Sequence, residues 1–305
     1  MSNIDGTRGE IYDLGYRNYD GARLGRRYAV RSLFILSLRN VFGLGRSPLP
    51  RVLAFGLVFL AFVPAIGVLI AGAVVGPGDF EILEPHDYYA SIQVIMILFI
   101  AAMASDLVGN DRKNNTLALY FSRPIKRDDY ALAKLLALAT SLLALTLLPL
   151  LLAFVGNWLG ARDSTKWFTD NVSDLIPIIL SALLVSSLLA SIGVVIASYT
   201  TRRAFALISV IGAFLVSFVA TSVLIGLLSV AWARVVILLS PIYVSRGLTL
   251  VLFGEVPAVS PDSATAEPED QIAFADLPSW VWVAAILAQT TIATLLAVRR
   301  YRRAS

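Results

Sequence analysis

Residues 52–75 read VLAFGLVFLAFVPAIGVLIAGAVV, two dozen positions without one charged side chain. About 20 apolar residues carry a helix across a hydrocarbon layer of roughly 30 Å, so this stretch predicts a transmembrane span. Five further runs of the same kind follow at 89–108, 132–155, 175–198, 205–230 and 280–298. The whole composition agrees: 305 residues are 57% hydrophobic and 15% charged, with a mean hydropathy of +0.76. A soluble chain of that size cannot bury so much apolar surface around one core, so lipid is the expected solvent. Soluble enzymes and nucleic-acid binders are thereby excluded. No chain-wide alternation of apolar and polar residues suggests a barrel, and backbone polar groups in lipid must be satisfied internally, so the spans are read as helices. The expected fold is an all-α membrane protein with six transmembrane helices.

Residues 231–253 are also apolar, but Arg234, Ser240-Pro241, Arg246 and Gly247 interrupt them. The distribution of basic residues decides how to read this stretch. Nine arginines precede residue 52; Arg112, Lys113, Arg123, Lys126, Arg127 and Lys134 surround the second connection. Arg202 and Arg203 follow the fourth span, and Arg299, Arg300, Arg302 and Arg303 end the chain. Only Arg162, Lys166, Arg234 and Arg246 remain for the other side, out of 25 Lys and Arg. The positive-inside rule then puts both termini in the cytoplasm. That is possible only if 231–253 enters and leaves by one face, as a re-entrant hairpin broken at Ser240-Pro241. The loop 254–278, acidic and without Lys or Arg, then lies outside.

Residues 1–51 form a cytoplasmic segment in which 27–44 predicts an amphipathic interfacial helix, with Val30, Leu33, Phe34, Leu38, Val41 and Phe42 on one side and Arg27, Arg31 and Arg39 elsewhere. A cytosolic packing helix is the alternative reading. The first thirty residues hold no apolar core, so no signal peptide is expected.

Chemistry is scarce. There is no phosphate-binding GxxxxGK[ST] loop, no HExxH, and no cysteine. The lone histidine, His86, rules out a multi-histidine metal site and is expected in a solvated loop. No catalytic residue and no metal site are expected. Ionisable groups within the spans are limited to Asp106 and Lys134 near their ends, which weakens an intramembrane enzyme or an ion-coupled carrier. Gly72 and Gly76 form a GxxxG suited to close helix contact. Ser209, Gly212, Ser217 and Thr221 make the fifth span the most polar, fit for a pathway or dimer interface, or for ordinary packing.

Residues 111–134, DRKNNTLALYFSRPIKRDDYALAK, hold the most information. Asn115-Thr116 can open a short helix carrying Leu117, Leu119, Tyr120 and Phe121; Pro124 ends it, and Asp128 can cap the third span. Its order of acidic residue, Thr-Leu, paired aromatics, Arg-Pro, Arg, Tyr and Lys resembles the coupling-helix region of ABC type 2 permeases. Six spans, inside termini, the interfacial helix and the broken segment are similar to that family as well. So is the leader YDLGYRNYDGARLG at 12–25. Asn115 stands where a glycine is usual and Asp111 where glutamate is.

The resemblance implies that Asp111, Arg112, Asn115, Thr116, Leu117, Tyr120, Phe121 and Arg123 contact a separate ATPase subunit, and that Ser240, Pro241, Arg246 and Gly247 belong to a hairpin near the outer leaflet. It implies an exporter permease in a bacterial cytoplasmic (inner) membrane, paired with a second copy or a homologous permease and with two ATPase subunits. ATP and magnesium would sit on those ATPases and no cofactor on this chain; a periplasmic or extracellular protein could complete the complex. Rival readings are a subunit of such machinery that transmits force to a periplasmic protein without moving solute, an ion-coupled carrier, and an integral membrane enzyme.

Overall fold

A computed structural model describes residues 24–45, 48–75, 83, 85–113, 119–120, 122, 124–200, 202–227, 230–254 and 277–303. The described residues are 90% helical and contain no strand. In chain order the helices are α1 (Arg26–Val41), α2 (Pro48–Val75), α3 (Pro85–Lys113), α4 (Arg127–Gly160), α5 (Ser164–Asn171), α6 (Leu175–Tyr199), α7 (Arg203–Leu227), α8 (Val230–Ile237), α9 (Pro241–Leu252) and α10 (Ser279–Arg303). Among the described residues six helical stretches are long and apolar enough to cross a membrane: α2, α3, α4, α5 running into α6, α7 and α10. The chain is thus an all-α membrane protein.

Helix α3 lies at the centre. Tyr88, Ile92, Phe99, Ile100 and Met103 are sealed in the core, and α3 touches α1, α2, α4, α6, α7 and α9. By contrast α2, α7 and α10 leave most of their surface open, including Phe59, Ile208, Val216 and Leu295. Apolar side chains exposed on spans of a membrane protein face lipid tails or another apolar subunit, where no hydrophobic penalty arises.

Helices α2 and α4 meet through glycine. A Cβ on Gly160 would stand 3.1 Å from the Gly72 Cα, and one on Gly156 would stand 3.2 Å from Leu69 backbone atoms. The close-contact motif is therefore Gly156-x-x-x-Gly160 on α4, which receives Gly72 of α2. The pairing expected for Gly72 with Gly76 is half met: Gly72 is at the crossing, and Gly76 lies outside the described residues. Where Pro64 interrupts the α2 ladder, Tyr88 of α3 donates to the Ala61 carbonyl at 2.9 Å. A neighbouring helix thus supplies a polar group in the turn that proline disturbs.

Two sequence expectations are corrected. His86 is not in a solvated loop: it sits in the first turn of α3, buried, with its Nε2 3.3 Å from Asp87. Asp128 does not cap α4; the Asp129 carboxylate accepts from the Lys126 backbone N–H at 3.0 Å. Asp128 instead meets Arg302. Both acidic residues still complement the positive end of the α4 dipole.

Candidate coupling site

The ends of α3 and α4 flank the segment expected to meet an ATPase, and they are locked together beneath it. Asp111, in the last turn of α3, lies 2.7 Å from the Lys134 Nζ on α4. Tyr130, one turn before Lys134, donates to the same carboxylate at 2.6 Å. Lys134 is 1% exposed, and its ammonium also donates to the Leu107 carbonyl at 3.2 Å. A buried lysine is tolerable only with such partners, because removing its charge from water costs several kcal/mol. Spacing explains the geometry: Leu107 and Asp111 are four apart on α3, Tyr130 and Lys134 four apart on α4, so each pair shares a face.

Aromatic rings surround this charge pair. Tyr130 packs edge-on against Tyr301 of α10 with centroids 5.2 Å apart, and Tyr120 lies 5.6 Å from Tyr130. Tyr120 is half-buried and borders a cleft with Tyr28, Leu33 and Leu36 of α1. Its ring therefore packs inside the permease, whereas its neighbour Leu119 is 69% exposed. Of the other residues expected at this contact, Arg112 lies in the last turn of α3, and Asn115, Thr116, Leu117, Phe121 and Arg123 lie outside the described residues.

Ion pairs extend outward from here. Arg26 grips Asp129 through two bonds of 2.7 Å, tying α1 to α4; the hydrogen bond raises the guanidinium pKa above its usual value. Arg302 holds Asp128 with its Nε at 2.7 Å while Arg127 donates to the Arg302 carbonyl, tying α10 to α4. Arg203 of α7 reaches the buried Asp106 of α3 at 2.7 Å. The Arg300 guanidinium lies over the Tyr199 ring of α6, 4.9 Å from its centroid. Thus α1, α3, α4, α7 and α10 bring basic residues to one pole of the bundle, where α6 contributes the Tyr199 ring.

The hairpin occupies the other pole. Gly247 of α9 faces Trp282 near the start of α10 so closely that a Cβ would strike the ring, and Arg246 donates to the His86 carbonyl at 2.6 Å and to Asp87 at 3.1 Å, at the start of α3. Its apex runs deeper. Ser217 of α7 donates to Ser240 at 3.3 Å, and Gln289 of α10 donates to the Leu238 carbonyl at 2.7 Å. Ser217 and Gln289 each lie ten residues inside their helices, about 15 Å from the pole at 1.5 Å per residue. Hence α8 descends, turns at Leu239-Ser240, and α9 climbs back with Pro241 in its first turn. The helical path is interrupted between Ile237 and Pro241.

Ser217 and the buried Thr221 point into the protomer, while Ser209 and Gly212 are half-buried. None of the four touches the ion-pair network. Ser222, beside them, meets the Tyr243 hydroxyl of α9 at 2.8 Å. The external loop expected at 254–278 and the leader at 12–25 lie mostly outside the described residues. Among the described residues no group of three or more His, Asp or Glu could hold a metal.

A helical bundle with six membrane-long helices, a basic pole and a hairpin at the other defines a multi-pass membrane protein. Residues 79–305 match the family described as ABC-2 family transporter protein, and the chain belongs to that family. It is a permease subunit of an ABC transporter; the family consists of membrane subunits that are not themselves catalytic and that associate with ABC ATPase subunits. No curated protein matches the chain.

Proposed function

We propose that this chain is the membrane half of an ABC exporter of a bacterial cytoplasmic membrane, paired with a second copy or a homologous permease and with two ATPase subunits that bind ATP and magnesium. Both termini and the 114–125 connection face the cytoplasm, the side favoured for the larger set of basic residues. Residues 114–125 rest on an ATPase, and nucleotide-driven closure of the two ATPases shifts them against the rest of the protomer.

One observation carries this reading: the buried Asp111–Lys134 pair fastens α3 to α4 directly under the connection. A force applied to residues 114–125 therefore arrives at two core helices together instead of fraying one. The scarcity of ionisable groups in the spans weakens the rival reading of an ion-coupled carrier.

The exposed Leu119 tests it. Interface energy concentrates in a few large side chains that become desolvated. Leu119→Asp is expected to lower co-purification of the cognate ATPase in mild detergent by about tenfold or more, with the melting temperature of the permease unchanged. Undiminished association would remove the contact from this segment. Reporter fusions after Gly254 and Ser305 should in addition fall on opposite sides of the membrane, and the same side for both would overturn the assigned orientation.

A further inference from the structure

Helices α1 and α4 flank an open cleft of about 730 Å³ at the basic pole, a size within the usual range for a ligand site. Its two walls have matching spacing. Arg27, Val30, Arg31 and Phe34 line it from α1; Asp129, Leu132, Ala133 and Leu136 line it from α4. Each set runs i, i+3, i+4, i+7, the stripe that one helix face presents. The cleft is graded along its length, cationic toward the beginnings of both helices and apolar beyond.

Charge at the cationic end does not cancel. Asp129 is held in bidentate fashion by Arg26 and also accepts from the Lys126 N–H. Arg27 and Arg31 line the same space, are exposed, and form no ion pair with another described residue. Two guanidiniums four residues apart on one helix face suit the oxygens of a single phosphate, which accepts from planar N–H forks. Beyond them Leu132 and Leu136 are 40% and 53% exposed, on a span whose surroundings are lipid. A ligand that fills both halves needs an anionic phosphate joined to a hydrocarbon chain.

We propose that this cleft is a binding site for an anionic phospholipid, with Arg27 and Arg31 on the headgroup phosphate and an acyl chain lying along Phe34, Leu132 and Leu136. Bound there, the lipid bridges α1 to α4 beside the Arg26–Asp129 pair and steadies the pole that carries the 114–125 connection. The proposal concerns this chain alone and is read without any ATPase.

The test uses the full chain, purified in a neutral detergent, with phosphatidylglycerol as probe and native mass spectrometry and thermal melting as readouts. Each basic residue near anionic lipid contributes about 1 kcal/mol, close to fivefold in affinity. R27Q/R31Q should therefore weaken phosphatidylglycerol binding by about thirtyfold, with the lipid-free melting temperature unchanged because both side chains are exposed. Arg39→Gln, on the same helix outside the cleft, should bind as the parent does. Equal binding of phosphatidylcholine, or parent-like binding by R27Q/R31Q, would overturn the proposal. Stabilisation by inorganic phosphate equal to that by the lipid would assign the cleft to a free anion and overturn it too.

Discussion

The two poles of the bundle are fastened in different ways. At the basic pole the helices are cross-linked by charge: Asp111 with Lys134, Asp106 with Arg203, Asp128 with Arg302 and Asp129 with Arg26. At the hairpin pole α8 and α9 are held mostly by shape and by neutral hydrogen bonds, Ser217 to Ser240, Ser222 to Tyr243 and Gln289 to Leu238, with Arg246 as the one charged tie among the described contacts of α9. Interhelical hydrogen bonds between neutral groups in a membrane average about 0.6 kcal/mol, whereas removing one partner of a buried ion pair such as Asp111–Lys134 costs about 3–5 kcal/mol, a magnitude that does not extend to the exposed Arg26 and Arg302 pairs. The difference teaches which end can yield. A hairpin seated on small terms can shift against α7 and α10 at low cost, while the charged pole moves as a unit.

The sharpest way to break that comparison is to remove the buried cation. Lys134→Met leaves the Asp111 carboxylate enclosed beside Tyr130, and a loss of about 3–5 kcal/mol of stability is expected. Asp111→Leu combined with Lys134→Met should recover much of it, because a matched apolar pair leaves no stranded charge. Melting of the three proteins in mild detergent reads both effects. A single variant as stable as the parent would mean that the charged pole is not held by this pair.

A smaller effect is expected where the hairpin leans on α10. Gly247→Ala forces a methyl group against the Trp282 ring, whose own side chain is buried. Overpacking of this kind costs about 1–3 kcal/mol. In a Trp282→Leu background the same alanine should cost markedly less, since the two residues share the space. Equal costs in both backgrounds would show that the close approach does not hold α9 in place.

How far the sequence discloses these two poles follows from what each depends on. The spans, the basic end and the break at Ser240-Pro241 rest on local composition: runs of apolar residues, clusters of arginine, a proline inside an apolar stretch. All are legible. Partnerships are not, because they join residues distant in the chain. Gly156-x-x-x-Gly160 is as visible in the sequence as Gly72-x-x-x-Gly76, yet nothing local says that Gly72 meets α4. His86 reads as a solvated loop residue, but the Arg246 guanidinium, 160 positions on, donates to its carbonyl and helps close the site. The resemblance sets Asp111 among residues that meet a partner subunit, and nothing local says that its carboxylate pairs with Lys134, the first lysine of α4. An acidic residue ending one span and a lysine opening the next is the signal that could have revealed this pair.

The gentlest change tests the assumption on which the contrast rests, that neutral hydrogen bonds hold the hairpin only lightly. Ser222 Oγ meets the Tyr243 hydroxyl at 2.8 Å and also donates back to the Phe218 carbonyl at 2.9 Å. Ser222→Ala deletes both, but the carbonyl keeps its place in the α7 ladder and the phenol ring stays stacked on Phe218, with centroids 5.5 Å apart. Packing is thus preserved while the polar link is lost, and a cost of about 0.6 kcal/mol is expected. Tyr243→Phe should match it, and the double variant should add little, because both remove the same Ser222–Tyr243 bond. A loss as large as that of Gly247→Ala would reverse the assignment: the hairpin would then be fixed by its polar contacts, and the low-cost shift assigned to it would have to be sought in another element.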